Sequence, residues 1–224
     1  MVDAAPTQHG RTILTDGTYE TVKALVMDHL VPPDTRVNIY KLARDLHVSQ
    51  TPVREALARL ESDGLVLKEP LRGYRTTRLL TTREFDELFE MRRLIEPWAA
   101  EVATRNVTAK GRKNLRAEMS RSGDAPATND YQAYKSLAEH DARFHGLIFE
   151  LAGNAAIREM WTRTHCHLHL FRLYYSLEPG AEGLKEHRRI VQAICSGEPD
   201  SAREAMTRHL DASYRRLRPA ASDE

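Results

Sequence analysis

The chain has 224 residues, 41% hydrophobic and 29% charged, with a mean hydropathy of -0.55, the balance of a water-soluble chain of one or two domains. No segment approaches the about 20 consecutive apolar residues of a membrane helix, the opening MVDAAPTQHGRT lacks the basic-then-apolar order of an export signal, and Cys166 and Cys195 form no disulfide or CxxC pattern, so a reducing cytoplasm is the expected compartment. The net charge of +1 is uneven: residues 36–78 carry nine Lys/Arg against five acids, residues 1–35 two against five, and 79–224 balance, which points to an anionic partner for the middle segment or to an ordinary solvated surface.

Residues 1–17 read as a polar tail. Tyr19, Val22, Leu25, Val26 and Leu30 then recur at helical spacing, predicting a helix near 18–30 that Pro32-Pro33 terminates. Asn38 can cap a short helix over 39–46. Ser49 can cap another, with Pro52 in its first turn, Val53, Ala56, Leu57 and Leu60 on its buried face, and Gly64 past its end. Two short strands, Leu65–Leu67 and Tyr74–Thr77, flank the turn Pro70-Leu71-Arg72-Gly73.

Helix, short helix, turn, helix and hairpin are the parts of a winged helix-turn-helix, though a plain three-helix unit with a hairpin has the same outline. In that motif the second helix enters the major groove by its N-terminus, which here presents Ser49, Gln50, Thr51 and Arg54, all able to donate hydrogen bonds. The run IYKLARDLHVSQTPVREALARLESDGLVLKEPLRGYRTT closely resembles the DNA-binding domain of the GntR family of bacterial transcription regulators. The resemblance implies that Ser49, Gln50, Thr51 and Arg54 face DNA, with Gly73 at the wing tip and Arg72 beside it. Two residues depart from the family pattern. Gln50 stands where Arg or Lys is usual, which favours adenine over guanine, and Asp34 stands at a usual Gly.

Beyond residue 78 the pattern is helical throughout, after a linker at 79–82. Thr81 and Glu84 form a capping-box signature opening a helix to about 105, and Thr108 can cap a second over 109–122. A loop at 122–129 precedes helices near 130–152, 155–176, 181–196 and 200–217, followed by a tail at 218–224. The fold class is therefore mostly α: a winged helix-turn-helix over 18–78 and an antiparallel bundle of six helices over 83–217.

Three bundle stripes carry ionisable groups where Leu is expected. One reads Tyr134, Leu137, Ala138, Asp141, His145, Ile148, Leu151 and Ala152, another Leu184, His187, Val191 and Ile194, and the last Ala202, Met206, His209 and Ser213. Each His alone reads as an ordinary hydrogen-bonded core residue, but Asp141, His145, His187 and His209 together suit a divalent metal, Zn²⁺ first, with Ni²⁺, Mn²⁺ or Fe²⁺ as alternatives. A second trio, His165, His167 and His169, includes an i,i+4 pair. Its helix stripe places His165 beside the inward face, where it can line a pocket, and His167 on the far side. Arg92 can aim into the bundle to hold an acid or pair with Glu96 one turn on, and Arg172 is a further pocket cation.

The segments MRRLIEPWAAEVA, DARFHGLIFELAGN, EHRRIVQAI and MTRHL resemble the FCD ligand-binding domain of the FadR branch of GntR regulators, in the six-helix VanR-like form. The resemblance implies that Asp141, His145, His187 and His209 are metal ligands. The expected protein is a cytoplasmic homodimer on a palindromic double-stranded DNA operator, controlled by a small carboxylate bound at the metal and by Arg92, His165 and Arg172. Two rivals are a sensor for which the ion itself is the signal and a metal-dependent hydrolase.

Overall fold

The computed structural model describes residues 8–122, 131–173 and 180–218, in two compact units, Met1–Leu79 and Leu80–Glu224. In the first, α1 (Gln8–Met27) packs against α3 (Gln50–Ser62), burying Tyr19, Val22 and Val26 with Val53, Leu57 and Leu60. Between them lies α2 (Ile39–Asp45), whose Asn38 cap accepts a hydrogen bond from the Lys41 N–H at 3.0 Å. Strands β2 (Val66–Glu69) and β3 (Gly73–Thr76) form the wing, and β1 (Arg36–Val37) adds to β3, giving an antiparallel sheet of order β1-β3-β2. Val37 and Lys68 lie opposite Tyr74 on either side.

Three expectations for this unit are corrected, and one strand was not expected. Helix α1 begins at Gln8, inside the expected tail over 1–17. It stops at Met27, before Pro32-Pro33; His29 then takes the left-handed φ of 56° and Leu30 is exposed. Ser49 holds the cap position of α3, but its side chain makes no capping hydrogen bond. Strand β1, at two residues, is too short to register as a period-2 pattern. Asp34, in place of the usual Gly, adopts φ 52°, and its carbonyl accepts from Arg75 Nη1 at 2.6 Å.

The second unit is built on α4 (Thr82–Asn106), which packs against α6 (Tyr131–Ala152), α9 (Ala181–Ser196) and α10 (Pro199–Leu217). The Thr81–Glu84 capping box is fully formed. Ala99, Ala100 and Ala103 give α4 a narrow face against which Phe144, Ile148, Ile190, Ile194, Met206 and Leu210 close the core. Helix α5 (Ala109–Arg121) lies along α6 and α9. The expected single helix over 155–176 is two, α7 (Ala155–Arg163) and α8 (Cys166–Leu173), broken where His165 adopts φ 46°. The described residues of this unit thus form seven helices instead of six. Residues 123–129 of the expected loop and 174–176 of the expected helix lie outside the described residues, as do 219–224 of the expected tail. Arg218 pairs with Asp86, Nε to Oδ1 at 3.2 Å. No described helix is long and apolar enough to cross a membrane.

Candidate functional site

Two surfaces carry the residues singled out above. In the first unit, Ser49, Thr51 and Arg54 are exposed at the start of α3 and Gln50 is half-buried, while Val53, Ala56, Leu57 and Leu60 on the opposite face are fully buried. A groove of about 610 Å³ brings Arg54 together with Arg72 and Gly73 of the wing, and adds Arg36 and Tyr40. No lining residue is acidic, so three guanidiniums face the same opening. Gly73 and Leu71 hold φ of 92° and 62°, which turns the wing tip and leaves Leu71 fully exposed. Arg36 and Tyr40 escaped the sequence reading because they belong to β1 and to the outward face of α2.

In the second unit, α6, α9 and α10 bring His145, His187 and His209 together, with ligand-type nitrogens all within 4.8 Å of one another. The three side chains are at most 4% exposed. Asp141 Oδ1 lies 3.7 Å from His145 Nε2 and 3.8 Å from His187 Nε2, and its side chain, 20% exposed, is the open edge of the cluster rather than the deeply inward residue that the stripe predicted.

Behind the cluster stand three carboxylates. Glu96 Oε2 is 2.8 Å from His145 Nδ1, an ion-pair contact, whereas His145 Nε2 is buried with no hydrogen-bond partner among the described residues. His209 Nδ1 meets Glu186 Oε2 at 2.8 Å. His187 Nδ1 meets His140 Nε2 at 3.1 Å, and His140 Nδ1 meets Glu118 Oε1 at 3.0 Å. Each carboxylate is held in turn by an arginine: Glu96 by Arg92, Glu118 by Arg143, and Glu186 by a two-pronged Arg216 at 2.7 and 2.9 Å.

Burial pushes the imidazoles of His140, His187 and His209 down from 6.5, and for His187 the neighbouring His209, His145 and His140 add to the effect. All three are held in the neutral form that coordinates metal. Burial pushes the Glu96 carboxyl up, but Arg92 and His145 outweigh it and hold it well below the carboxylate range. Glu186 settles at about 2, since His209 and Arg216 overcome its desolvation.

Three imidazole donors at this spacing suit a divalent ion, and Asp141 stands close to two of the three. Metal–nitrogen bonds of about 2.0–2.1 Å put ligand atoms about 3.3 Å apart. The His187 and His209 Nε2 atoms are 3.4 Å apart, and the Asp141 distances are a few tenths wider.

The effector candidates fare differently. Arg92 is buried and directed at Glu96, Nε to Oε1 at 2.6 Å, which answers the choice left open for it in favour of the pair. Arg172 is fully buried on α8 beside Tyr134 and His169, and burial lowers its guanidinium to about 10. His169 is pushed down to about 4 by burial and by Arg172. His165 is half-buried at the break between α7 and α8, so the expected i,i+4 pair with His169 is not carried by one continuous helix. His167 does not point away: its ring stacks on Trp161 at 6.2 Å, and Trp161 Nε1 donates to Glu96 Oε1 at 3.2 Å.

Two family profiles match the chain, one in each unit. The profile of bacterial regulatory proteins, gntR family, matches residues 14–75, and that of the FCD domain matches 87–212. The chain is 25% identical to a probable D-xylose utilization operon transcriptional repressor of Paenarthrobacter nicotinovorans, over 94% of this chain and 92% of that one. It is 28% identical to the Uxu operon transcriptional regulator of Escherichia coli, over 89% and 86%. Its fold is similar to that of McbR/YncC of E. coli (TM-score 0.60, 22% identity, covering 89% of this chain and 94% of that one). It is also similar to a putative GntR regulator of Rhodococcus sp. RHA1 (TM-score 0.63, 19% identity, covering 93% and 99%). With the FCD profile spanning more than half of its length behind a matched DNA-binding domain, the chain belongs to the GntR family of bacterial DNA-binding transcriptional regulators.

Proposed function

We propose that this regulator is a cytoplasmic homodimer on a palindromic operator, released or recruited by a small carboxylate that binds at a divalent metal held by Asp141, His145, His187 and His209. The observation that carries the reading is the cluster itself: nitrogens of the buried His145, His187 and His209 converge within 4.8 Å of one another beside the Asp141 carboxylate, and His145 Nε2, buried without a hydrogen bond, is costly unless a cation completes it. A divalent ion, Zn²⁺ first, supplies an electrophilic centre for an oxygen anion. Asp141, at the exposed edge, leaves that side for the incoming acid. Arg172, a buried cation on α8, is the group suited to the acid's second polar end, now that Arg92 is directed at Glu96.

A thermal-shift panel of mono-, di- and hydroxycarboxylates, run with Zn²⁺ and with chelator, tests this reading. The expected result is stabilisation by one acid class that disappears with chelator and in Arg172→Met. Operator affinity that follows free metal with no acid dependence would replace it with an ion sensor.

A further inference from the structure

The wing turn Glu69-Pro70-Leu71-Arg72 is closed by a hydrogen bond from the Arg72 N–H to the Glu69 carbonyl at 3.1 Å. Proline at its second place and a positive φ at its third are the marks of a type II turn, whose third place calls for Gly or Asn. Here that place holds Leu71, at φ 62°. A leucine in the left-handed region strains the backbone, and no burial offsets the strain. Leu71 is fully exposed, more so than any other large apolar side chain among the described residues. A lone exposed leucine is ordinary; one at the turn position that favours glycine, where two costs fall together, points to a use.

Its surroundings indicate what it meets. Leu71 lines the same groove as Arg36, Arg54 and Arg72, which has no acidic lining residue. Three guanidiniums around one opening between α3 and the wing suit a single sugar-phosphate strand. A helix-turn-helix lays the start of its second helix in the major groove, so the α3 side of that strand is the major groove. The two grooves of a duplex alternate across each strand, so the wing side of the same strand is the minor groove.

We propose that Leu71 is an apolar wedge: it enters the minor groove beside the α3 contact and inserts at a base step, opening the stack and kinking the DNA toward the major groove. The proposal rests on the DNA-binding role of the family and needs neither the metal nor the effector. It also adds a source of sequence preference that no hydrogen bond supplies. Pyrimidine–purine steps, TA among them, unstack most readily, so the step under Leu71 is expected to be one of these.

The probe is a duplex that the full-length protein selects from a random-sequence library. One version carries a dye at each end for energy transfer, and another carries 2-aminopurine at successive steps flanking the α3 contact. Wild type is expected to bend the duplex by about 20–90° and to raise 2-aminopurine fluorescence at one flanking step. Leu71→Asn suits the left-handed turn and is expected to melt no lower than the wild type. It is expected to bind the duplex still, through the guanidiniums, but to lose most of the bend and of the fluorescence rise. Leu71→Met keeps an apolar wedge and is expected to retain both signals. Wild-type bending and fluorescence in Leu71→Asn, loss of both in a folded Leu71→Met, or an unbent duplex under the wild type each overturn the proposal. A Leu71→Asn that melts well below the wild type makes the leucine structural and overturns it as well.

Discussion

Arg92 donates from Nε to Glu96 Oε1 at 2.6 Å across one turn of α4, and the two side chains are 3% and 1% exposed. From the sequence this arginine suits an effector carboxylate as well as its neighbour. The structure gives Glu96 three further contacts, a second from Arg92 at 3.3 Å, Trp161 Nε1 at 3.2 Å and His145 at 2.8 Å, so the pair is the hinge between the core and the histidine cluster.

Truncating one partner of such a pair leaves an uncompensated buried charge. Arg92→Ala is expected to lose about 3–5 kcal/mol of stability in urea denaturation, with the double change Arg92→Met and Glu96→Leu losing much less. A stable Arg92→Ala that no longer responds to carboxylates would return Arg92 to the effector.

On the DNA face, Arg54→Ala is expected to weaken operator binding by about 1–3 kcal/mol with dimerisation intact. Arg36→Ala, in the same groove but on β1, is expected to weaken all sequences alike and to lower the salt slope by about 1, as a phosphate contact does. Fluorescence anisotropy at several salt concentrations separates the two; an unchanged slope removes Arg36 from the interface.

Gln50 stands where Arg or Lys is usual. Gln50→Arg is expected to move one position of each half-site from adenine toward guanine in a binding-site selection. The same consensus from both proteins would exclude base readout by this residue.

For the metal-free protein the pH dependence has a definite sign. Burial holds His140, His187 and His209 below 6.5 when folded, so the unfolded chain takes up their protons first as pH falls. Their contribution is complete above 6.5 and is lost as pH drops through that value toward the folded ones. Glu186, at about 2 instead of 4.5, adds stability that is lost as pH falls from 4.5 toward 2. Melting temperature in chelator is therefore expected to fall from pH 7 to 5 and again below 4.5; a flat profile between 7 and 5 would mean that the imidazoles titrate normally in the fold.

What the sequence made legible was whatever a single helix face encodes. His145, His187 and His209 stand out because each interrupts an apolar stripe at i,i+3 or i,i+4 spacing, and α3 stands out because its polar and apolar faces separate cleanly. His140 was missed because α6 is buried over a wider arc than one stripe: Leu137, His140 and Phe144 form a second buried row beside Ala138, Asp141 and His145. Glu118 and Glu186 look like surface charges on their own helices, and only the docking of α5 on α6 and of α9 on α10 puts them behind histidines. The break at His165 has neither Gly nor Pro to announce it, and a histidine with left-handed backbone carries no sequence signal of its own.

The most direct test of the account is elemental analysis of the protein purified in metal-supplemented buffer, beside His209→Ala. Four protein ligands from three helices predict about one divalent ion per wild-type chain and a clear loss from His209→Ala, with the isolated DNA-binding activity retained. No ion in the wild type, or equal ion content in both, would make these histidines ordinary core residues and contradict the metal-centred pocket.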